Sequence, residues 1–231
     1  MQIHGLNKTT LLDYPEHVAA TVFTGGCNFR CPFCHNMDLV INPANTPQIS
    51  EEEVLSFLRK RKGVLGGVCI TGGEPTLQPD LPAFIEKIKE IGLLVKLDTN
   101  GYRPDVLKSL LDKKMLDYVA MDIKNSRDKY ALTTGRDDLD IAFIDESIRA
   151  IMENSVQYEF RTTVTRQLHE KEDFIKIGEW LAGAEKYFLQ AYRDNENVLQ
   201  RGFSSHSKQE LECFATMLKG QIKTVMVRGV D

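Results

Sequence analysis

The sequence of 231 residues lacks the features of membrane, fibrous and disordered proteins, which is typical of an ordinary globular protein. It has one tryptophan, no low-complexity run, and no apolar stretch that approaches the roughly 18 residues of a membrane-spanning helix. The formal net charge is −4, so the excess of positive charge that is typical of proteins binding nucleic acid or anionic membranes is missing. The N-terminal segment lacks the apolar core of a secretion signal. We therefore expect a cytoplasmic protein that binds neither nucleic acid nor membrane.

Apolar runs rich in β-branched residues alternate with segments of helical periodicity along the whole chain. The predicted strands cover residues 18–24, 67–71, 93–98, 117–123, 157–164, 186–191 and 222–227. The predicted helices cover residues 50–63, 80–92, 104–111, 145–153, 170–181 and 207–218. Strands joined by helical crossovers form parallel sheets in α/β proteins. No linker divides the chain, so we predict one α/β domain over residues 1–231, built on either an open sheet or a barrel.

Three of the five cysteines lie within eight residues, directly after the first predicted strand. The run is Cys27-Asn-Phe-Arg-Cys31-Pro-Phe-Cys34-His35. An odd, clustered set without a secretion signal argues against disulfides and for a metal or redox site. Zinc bound by the three cysteines and His35 is one alternative, and the haem attachment pattern C-x-x-C-H is another. Three thiolates without a nearby fourth favour an iron–sulfur cluster that keeps one iron open for another ligand.

The remaining two cysteines stand apart from this run. Cys69 lies inside an apolar strand, and Cys213 lies on a predicted helix face with Leu211, Phe214 and Met217. Because a buried free cysteine behaves as a small apolar residue, we predict that both belong to the core.

Polar motifs stand directly after the next three predicted strands. They are Gly72-Gly73-Glu74-Pro75, Asp98-Thr99-Asn100-Gly101 and Asp122-Ile123-Lys124. The carboxyl ends of parallel strands meet at one edge of the sheet, where α/β folds bind their ligands. We expect Asp98, Asp122 and Lys124 to lie close together there, where they could pair with a carboxylate, an ammonium group or a small cation.

The spacing C-x3-C-x-Φ-C, with Phe33 as the aromatic residue, resembles the signature of the radical S-adenosylmethionine (SAM) superfamily. The resemblance extends over residues 11–193 and implies a partial (β/α)6 barrel of the TIM type, with a short C-terminal helix and strand after it. It also implies one 4Fe–4S cluster on Cys27, Cys31 and Cys34, with SAM on the fourth iron. The charged residues at the strand ends suggest a monovalent cation as a further cofactor. The implied cofactor-binding residues are Phe33, His35, Asn36, Gly72, Gly73, Glu74, Asp98, Thr99, Asn100, Asp122, Lys124 and Arg161.

Within the superfamily, residues 11–17 and 24–36 are similar to those of anaerobic ribonucleoside-triphosphate reductase activating proteins. The resemblance implies reductive cleavage of SAM and removal of a hydrogen atom from a glycine of a partner glycyl radical enzyme, with flavodoxin or ferredoxin as electron donor. Asp13 matches an acidic residue near the substrate peptide, and Lys124 would bind the carboxylate end of SAM. Asp13 and Lys124 are therefore the predicted catalytic residues. Glu16 departs from the pattern, because many relatives have glycine there.

Three points stay open in the sequence. A histidine that contacts SAM late in the family's barrel has no clear match here, and Tyr192 and Arg193 are the candidates for its place. A radical SAM enzyme acting on a small molecule, such as a 7-carboxy-7-deazaguanine synthase, is an alternative that predicts a closed barrel mouth. A zinc-stabilised module without catalysis is a second alternative, which iron and sulfide analysis would separate.

Overall fold

The computed structural model describes residues 1–230, and its strands form one eight-stranded sheet in the order of the sequence. The strands are β1 (Ile3–Thr10), β2 (Ala19–Thr24), β3 (Gly67–Gly72), β4 (Leu94–Thr99), β5 (Tyr118–Asp122), β6 (Gln157–Val164), β7 (Lys186–Ala191) and β8 (Thr224–Arg228). β1 is antiparallel to β2, and every later strand is parallel to the strand before it. Within the described residues, β8 and β1 do not pair with each other, so the sheet is not closed. The predicted α/β fold is therefore confirmed as a partial barrel that remains open.

Helices connect the parallel strands, as the alternating pattern predicts. They are α1 (Met37–Ile41), α2 (Glu51–Lys60), α3 (Leu81–Ile91), α4 (Pro104–Asp112), α5 (Tyr130–Thr134), α6 (Ile141–Met152), α7 (Lys171–Trp180) and α8 (Lys208–Met217). The boundaries reflect local chemistry. Ser50 accepts a hydrogen bond from the backbone N–H of Glu53 at the start of α2, and Gly92 ends α3 in the left-handed conformation. No helix within residues 1–230 is long and apolar enough to span a membrane.

Four features differ from the predictions, and one of them is the short helix α5, which none of the predicted helices covers. The segment of β1 has no apolar run, because this outermost strand has three exposed residues of eight and pairs with a full strand on one side only. The stretch 34–49, which shows no periodicity, contains the short helix α1. The prediction that Cys213 is a core residue is wrong: α8 packs through Leu211, Phe214 and Ala215, and Cys213 is exposed. The prediction for Cys69 is confirmed, since its side chain is fully buried.

The sheet and helices share a large apolar core, and a smaller one lies near the amino ends of the strands. Tyr14, on the loop between β1 and β2, packs there against Tyr118, Ala19 and Ala120. A Cβ atom on Gly67 would lie 2.7 Å from the Tyr14 ring, so a side chain at this strand start would displace the tyrosine. The loop between β1 and β2 is thereby held against the sheet. The single domain over 1–231 stays a prediction.

Candidate active site

A cavity of about 460 Å³ opens where the parallel strands end. The three clustered cysteines and all the predicted catalytic and cofactor-binding residues line this cavity. Its wall also includes residues that the sequence did not single out: Phe29, Val40, Thr71, Thr163 and Gln190. The structure therefore gathers the predicted residues at one place, at the edge of the sheet where α/β folds bind ligands.

The cysteine loop after β2 is fixed by backbone hydrogen bonds to distant segments. The N–H of Arg30 donates to the carbonyl of Thr134 at 2.8 Å, and the N–H of Gln200 donates to the carbonyl of Pro32 at 2.8 Å. The N–H of Leu199 donates to the carbonyl of Cys34 at 3.1 Å. Residues 198–203 carry no motif, so this supporting role has no signal in the sequence. The loop is thus held before any ligand binds.

The three thiols differ in exposure but share the cavity. Cys31 is buried, whereas Cys27 and Cys34 are half-buried. Burial raises the pKa of Cys27 to about 11 and the pKa of Cys31 to about 12. Both thiols therefore keep their protons near neutral pH, and thiolate ligation here requires the positive charge of a metal.

Two glycine pairs allow the backbones after β2 and β3 to touch. A Cβ atom on Gly73 would lie 1.9 Å from the carbonyl oxygen of Gly26, and one on Gly72 would lie 2.4 Å from the backbone nitrogen of Thr24. Gly72 also has a φ of +117°, which side chains rarely tolerate. In this arrangement the N–H of Glu74 donates to the carbonyl of Gly26 at 2.7 Å. The glycines therefore place the Glu74 motif directly beside the cysteine loop.

Glu74 ties the end of β3 to the end of β4. Its carboxylate is 1% exposed and accepts hydrogen bonds from the Thr76 hydroxyl at 2.5 Å, the Thr99 hydroxyl at 2.7 Å and the Asn100 N–H at 2.7 Å. Burial raises the pKa of this carboxyl, while these donors oppose that rise. Asn100 in turn donates to the side chain of Asn28, next to Cys27, at 2.7 Å. Glu74 thus lines the cavity and also holds neighbouring parts of its wall in place.

His35 and Asn36 connect the cysteine loop to the segment after β7 and to the end of β3. Nε2 of His35 lies 2.6 Å from the carbonyl oxygen of Arg193, so this nitrogen donates and carries the proton. The His35 ring stacks on Tyr192 with centroids 5.2 Å apart. The side chain of Asn36 donates to the carbonyl of Gly72 at 2.9 Å. Tyr192 and Arg193, the candidates for the late family histidine, therefore support His35, and neither lines the cavity.

Five charged side chains form a row of ion pairs on one side of the cavity. They come from β4, β5, β6 and the segment directly after β5. We call Lys96, Asp98, Asp122, Lys124 and Arg161 the charged ladder. Arg161 donates to Asp98 at 3.0 Å and to Asp122 at 2.5 Å. Lys124 donates to the other oxygen of Asp122 at 2.8 Å, and Lys96 donates to the other oxygen of Asp98. Three cations therefore surround two carboxylates.

The charges in this ladder stabilise one another. Burial opposes the ionisation of Asp98 and Asp122, but Arg161 together with Lys96 and Lys124 outweighs it, so both aspartate pKa values lie below their usual range. The pKa of Lys124 is likewise raised, because the attraction of Asp122 exceeds the effect of burial. All five side chains stay charged near neutral pH, so Lys124 and Arg161 present positive charge at the cavity wall.

Lys96 belongs to this ladder although it was not among the residues predicted from the sequence. It stands inside an apolar strand run, where a lysine is unusual, and it lies two residues before Asp98. Because side chains alternate along a strand, positions 96 and 98 share a face. That alternation was the signal available in the sequence.

Asp13 reaches the cavity from the loop between β1 and β2. Its carboxylate accepts a hydrogen bond of 2.5 Å from the hydroxyl of Thr21, on β2. Nearby, Glu16 has a φ of +66°, the conformation that favours glycine. The departure from the family's glycine thus places a residue with a Cβ in the left-handed region.

The residues of the cavity fit an iron–sulfur cluster with SAM. Three thiols on one loop supply soft ligands, and the cavity volume falls within the range of small-molecule sites. Lys124 and Arg161 offer positive charge to a ligand carboxylate. Within residues 1–230, no three or more His, Cys, Asp or Glu side chains already form a site for a single metal ion.

Known proteins resemble this chain over most of its length. The model of the Radical SAM superfamily matches residues 21–177. A protein of Methanocaldococcus jannaschii with the provisional name glycyl-radical enzyme activating enzyme is 30% identical over 240 residues, covering 99% of this chain and 96% of that protein. A pyruvate formate-lyase-activating enzyme of Clostridium pasteurianum is 36% identical over 141 residues, which make up 58% of each chain.

A solved structure shares the fold at low sequence identity. Streptococcus suis SuiB bound to its precursor peptide SuiA has a TM-score of 0.69 and 14% identity to this chain. The match covers 89% of this chain and 48% of SuiB, so this chain spans about half the length of that protein. At this identity the likeness demonstrates the fold alone.

Proposed function

This chain belongs to the radical SAM superfamily, and from that premise we propose that it generates a glycyl radical on a partner enzyme. As a member of that family, it is an enzyme that uses a 4Fe–4S cluster and SAM. We propose an anaerobic ribonucleoside-triphosphate reductase, or a related glycyl radical enzyme, as the partner. The observation that carries this proposal is the gathering of three cysteines, Asp13 and the charged ladder around one cavity of an open sheet.

Cys27, Cys31 and Cys34 would hold three irons of the cluster, and SAM would occupy the cavity beside them. When bound, the reduced cluster and SAM supply the one-electron chemistry that removes a hydrogen atom from a glycine Cα. Phe33 is buried against Phe203 and His169, with ring centroids 6.2 and 6.5 Å away, and excludes water from this side of the cavity.

Other residues of the cavity orient the substrate atoms. Lys124 and Arg161 would bind the carboxylate of SAM, because both line the cavity and carry positive charge. Glu74 keeps the ends of β3 and β4 in register and presents an acceptor for the SAM amino group. Asp13, on the loop between β1 and β2, accepts a hydrogen bond from the backbone of the partner's glycine segment. These are the roles that we propose for Asp13 and Lys124 as catalytic residues.

One observation favours a protein substrate over a small molecule. The Methanocaldococcus relative, which covers nearly the whole chain, bears the name of an activating enzyme. The similarity of residues 11–17 and 24–36 to reductase activating proteins supports the particular partner. The electron donor would be a flavodoxin or a ferredoxin of a reducing cytoplasm.

The experiment combines the reconstituted protein, SAM and a reductant anaerobically with the separately purified reductase. We expect a glycyl-radical signal in the electron paramagnetic resonance spectrum of the reductase, and none when SAM is omitted. The variant Asp13→Asn should reduce this signal more than it reduces SAM cleavage in the absence of the partner. SAM cleavage that never produces the signal in the reductase or in pyruvate formate-lyase would contradict the proposal and favour a small-molecule substrate.

A further inference from the structure

Lys96 is a buried lysine whose ammonium lies beside a carboxylate, a thiol and an aromatic ring. Its side chain is 2% exposed, and its Nζ contacts a carboxylate oxygen of Asp98 and lies 3.7 Å from the sulfur of Cys69. The ring of Tyr118 lies 6.0 Å away. A lysine in such surroundings costs free energy unless its charge is matched, and Asp98 is the matching group.

The contacts of Asp98 show what the ammonium does. One oxygen of Asp98 accepts from Lys96, and the other accepts from Arg161 at 3.0 Å. The two oxygens of Asp122 are occupied in the same way, by Arg161 and Lys124. All four carboxylate oxygens of the charged ladder therefore already have a cationic partner from the chain. The monovalent cation that the charged residues at the strand ends suggest would find no carboxylate oxygen without a cationic partner.

We propose that Lys96 is a positioning residue whose ammonium takes the place of a bound monovalent cation at Asp98. By holding one oxygen of Asp98, Lys96 fixes the other towards Arg161, and Arg161 in turn faces the ligand carboxylate. This inference rests on the proposed SAM site for its effect on binding, whereas its effect on Asp98 is a property of the chain alone. It predicts that the natural protein needs no potassium or sodium.

Removing the ammonium should create the dependence that the natural protein lacks. In Lys96→Met the chain keeps a side chain of similar length next to Cys69, but one oxygen of Asp98 loses its cationic partner. A buried carboxylate oxygen without a partner is costly even though Arg161 still binds the other oxygen, and the adjoining cavity admits ions from solvent. Potassium or sodium should therefore bind beside Asp98 in this variant.

The first measurement needs neither cluster nor SAM. The thermal unfolding midpoint of the apoprotein is measured in KCl, NaCl and choline chloride at equal ionic strength, the last salt having a cation too large for the position. The natural protein should show equal midpoints, whereas Lys96→Met should unfold at lower temperature in choline chloride and recover in KCl or NaCl. Lys96→Met/Asp98→Asn should show no such recovery, because the carboxylate that attracts the ion is gone.

A matched control removes a lysine–aspartate pair outside the cavity. Lys89 donates to Asp117 at 2.8 Å near the start of β5 and is one-third exposed. Lys89→Met should lose some stability equally in all three salts. Salt-specific recovery in Lys89→Met as well would overturn the proposal, because the effect would then be general to the protein.

The second measurement is the affinity of the reconstituted protein for SAM in the same salts. The natural protein should bind equally in all three, and Lys96→Met should bind about tenfold more weakly in choline chloride and recover in KCl. A natural protein whose affinity rises with KCl would overturn the inference even if Lys96→Met failed to fold. If the natural protein binds no SAM in any salt, the proposed function fails, while the unfolding midpoints still decide the role of Lys96.

Discussion

Two groups of buried charges lie on this sheet, and only one of them opens into the cavity. Tyr118, Glu159 and Arg228, which we call the deep cluster, pair closely: Arg228 donates to both oxygens of Glu159 at 2.7 and 2.9 Å, and Tyr118 donates to one at 2.9 Å. The deep cluster has one carboxylate for one cation. The charged ladder has three cations for two carboxylates, and all its members except Lys96 line the cavity. The deep cluster thus lies away from the cavity, whereas the charged ladder places two cations and two carboxylates at the cavity wall.

The largest effect is expected from a substitution that removes a cluster ligand and leaves both charge groups intact. In Cys31→Ala, we expect loss of bound iron and of SAM cleavage with little loss of fold, because the buried core lies mainly in the sheet and helices rather than in this loop. Iron, sulfide and 5′-deoxyadenosine assays measure the first two, and circular dichroism measures the third. Cys213→Ala, at an exposed cysteine on α8, is the control and should behave as the natural protein. Preserved SAM cleavage in Cys31→Ala would refute the ligand assignment.

The comparison of the two charge groups can be tested with matched arginine variants. Arg161→Met should weaken SAM binding by roughly a hundredfold, since a charge-assisted contact worth about 2–3 kcal/mol is lost. Arg228→Met should leave the SAM affinity of the folded protein unchanged and lower the free energy of unfolding. That loss should be roughly 1–3 kcal/mol, less than for a fully buried pair, because Arg228 is one-third exposed. Calorimetric titration and urea unfolding separate the two effects, and an equal loss of affinity in both variants would remove the distinction.

The decline of the unfolding free energy at acid pH should depend on the charged ladder. The pKa values of Asp98 and Asp122 are lowered in the folded protein, so both aspartates stabilise the fold above the ordinary aspartate pKa of about 4. This contribution should be lost progressively as the pH falls from about 5 through those lowered values. Asp122→Asn should therefore show a shallower decline of unfolding free energy between about pH 5 and pH 3 than the natural protein. Identical slopes would show that the ladder does not hold its carboxylates ionised.

Much of the site could be predicted because its motifs stand at the ends of apolar strands. The runs 67–71 and 93–98 are β-rich, and the residues directly after each run lie at the same edge of a parallel sheet. Lys96 was missed, since a lysine within an apolar run conflicts with the pattern, although its position two residues before Asp98 was a signal in the sequence. β1 is polar because it is an edge strand, and the support of the cysteine loop by residues 198–203 rests on backbone atoms, which carry no sequence signal.

The smallest expected effect concerns the loop that carries Asp13. Glu16→Gly should stabilise the protein by about 0.5–1 kcal/mol, because glycine adopts the left-handed conformation at lower cost than a residue with a Cβ. Part of this gain is offset by the greater freedom of glycine in the unfolded chain. Lys114→Gly, at the other non-glycine residue with a positive φ in residues 1–230, is the matched control for backbone strain away from the cavity. Urea unfolding measures both, and destabilisation by Glu16→Gly alone would indicate that the Glu16 side chain has a role of its own.

The chemistry of the reconstituted protein tests the cluster and its use of SAM most directly. Iron and sulfide are incorporated anaerobically, the protein is reduced, and 5′-deoxyadenosine is measured after addition of SAM. We predict about four irons and four sulfides per chain, as in one cluster of the 4Fe–4S type, and 5′-deoxyadenosine that disappears in Cys31→Ala. A colourless protein that retains zinc, takes up no sulfide and yields no 5′-deoxyadenosine would contradict this prediction.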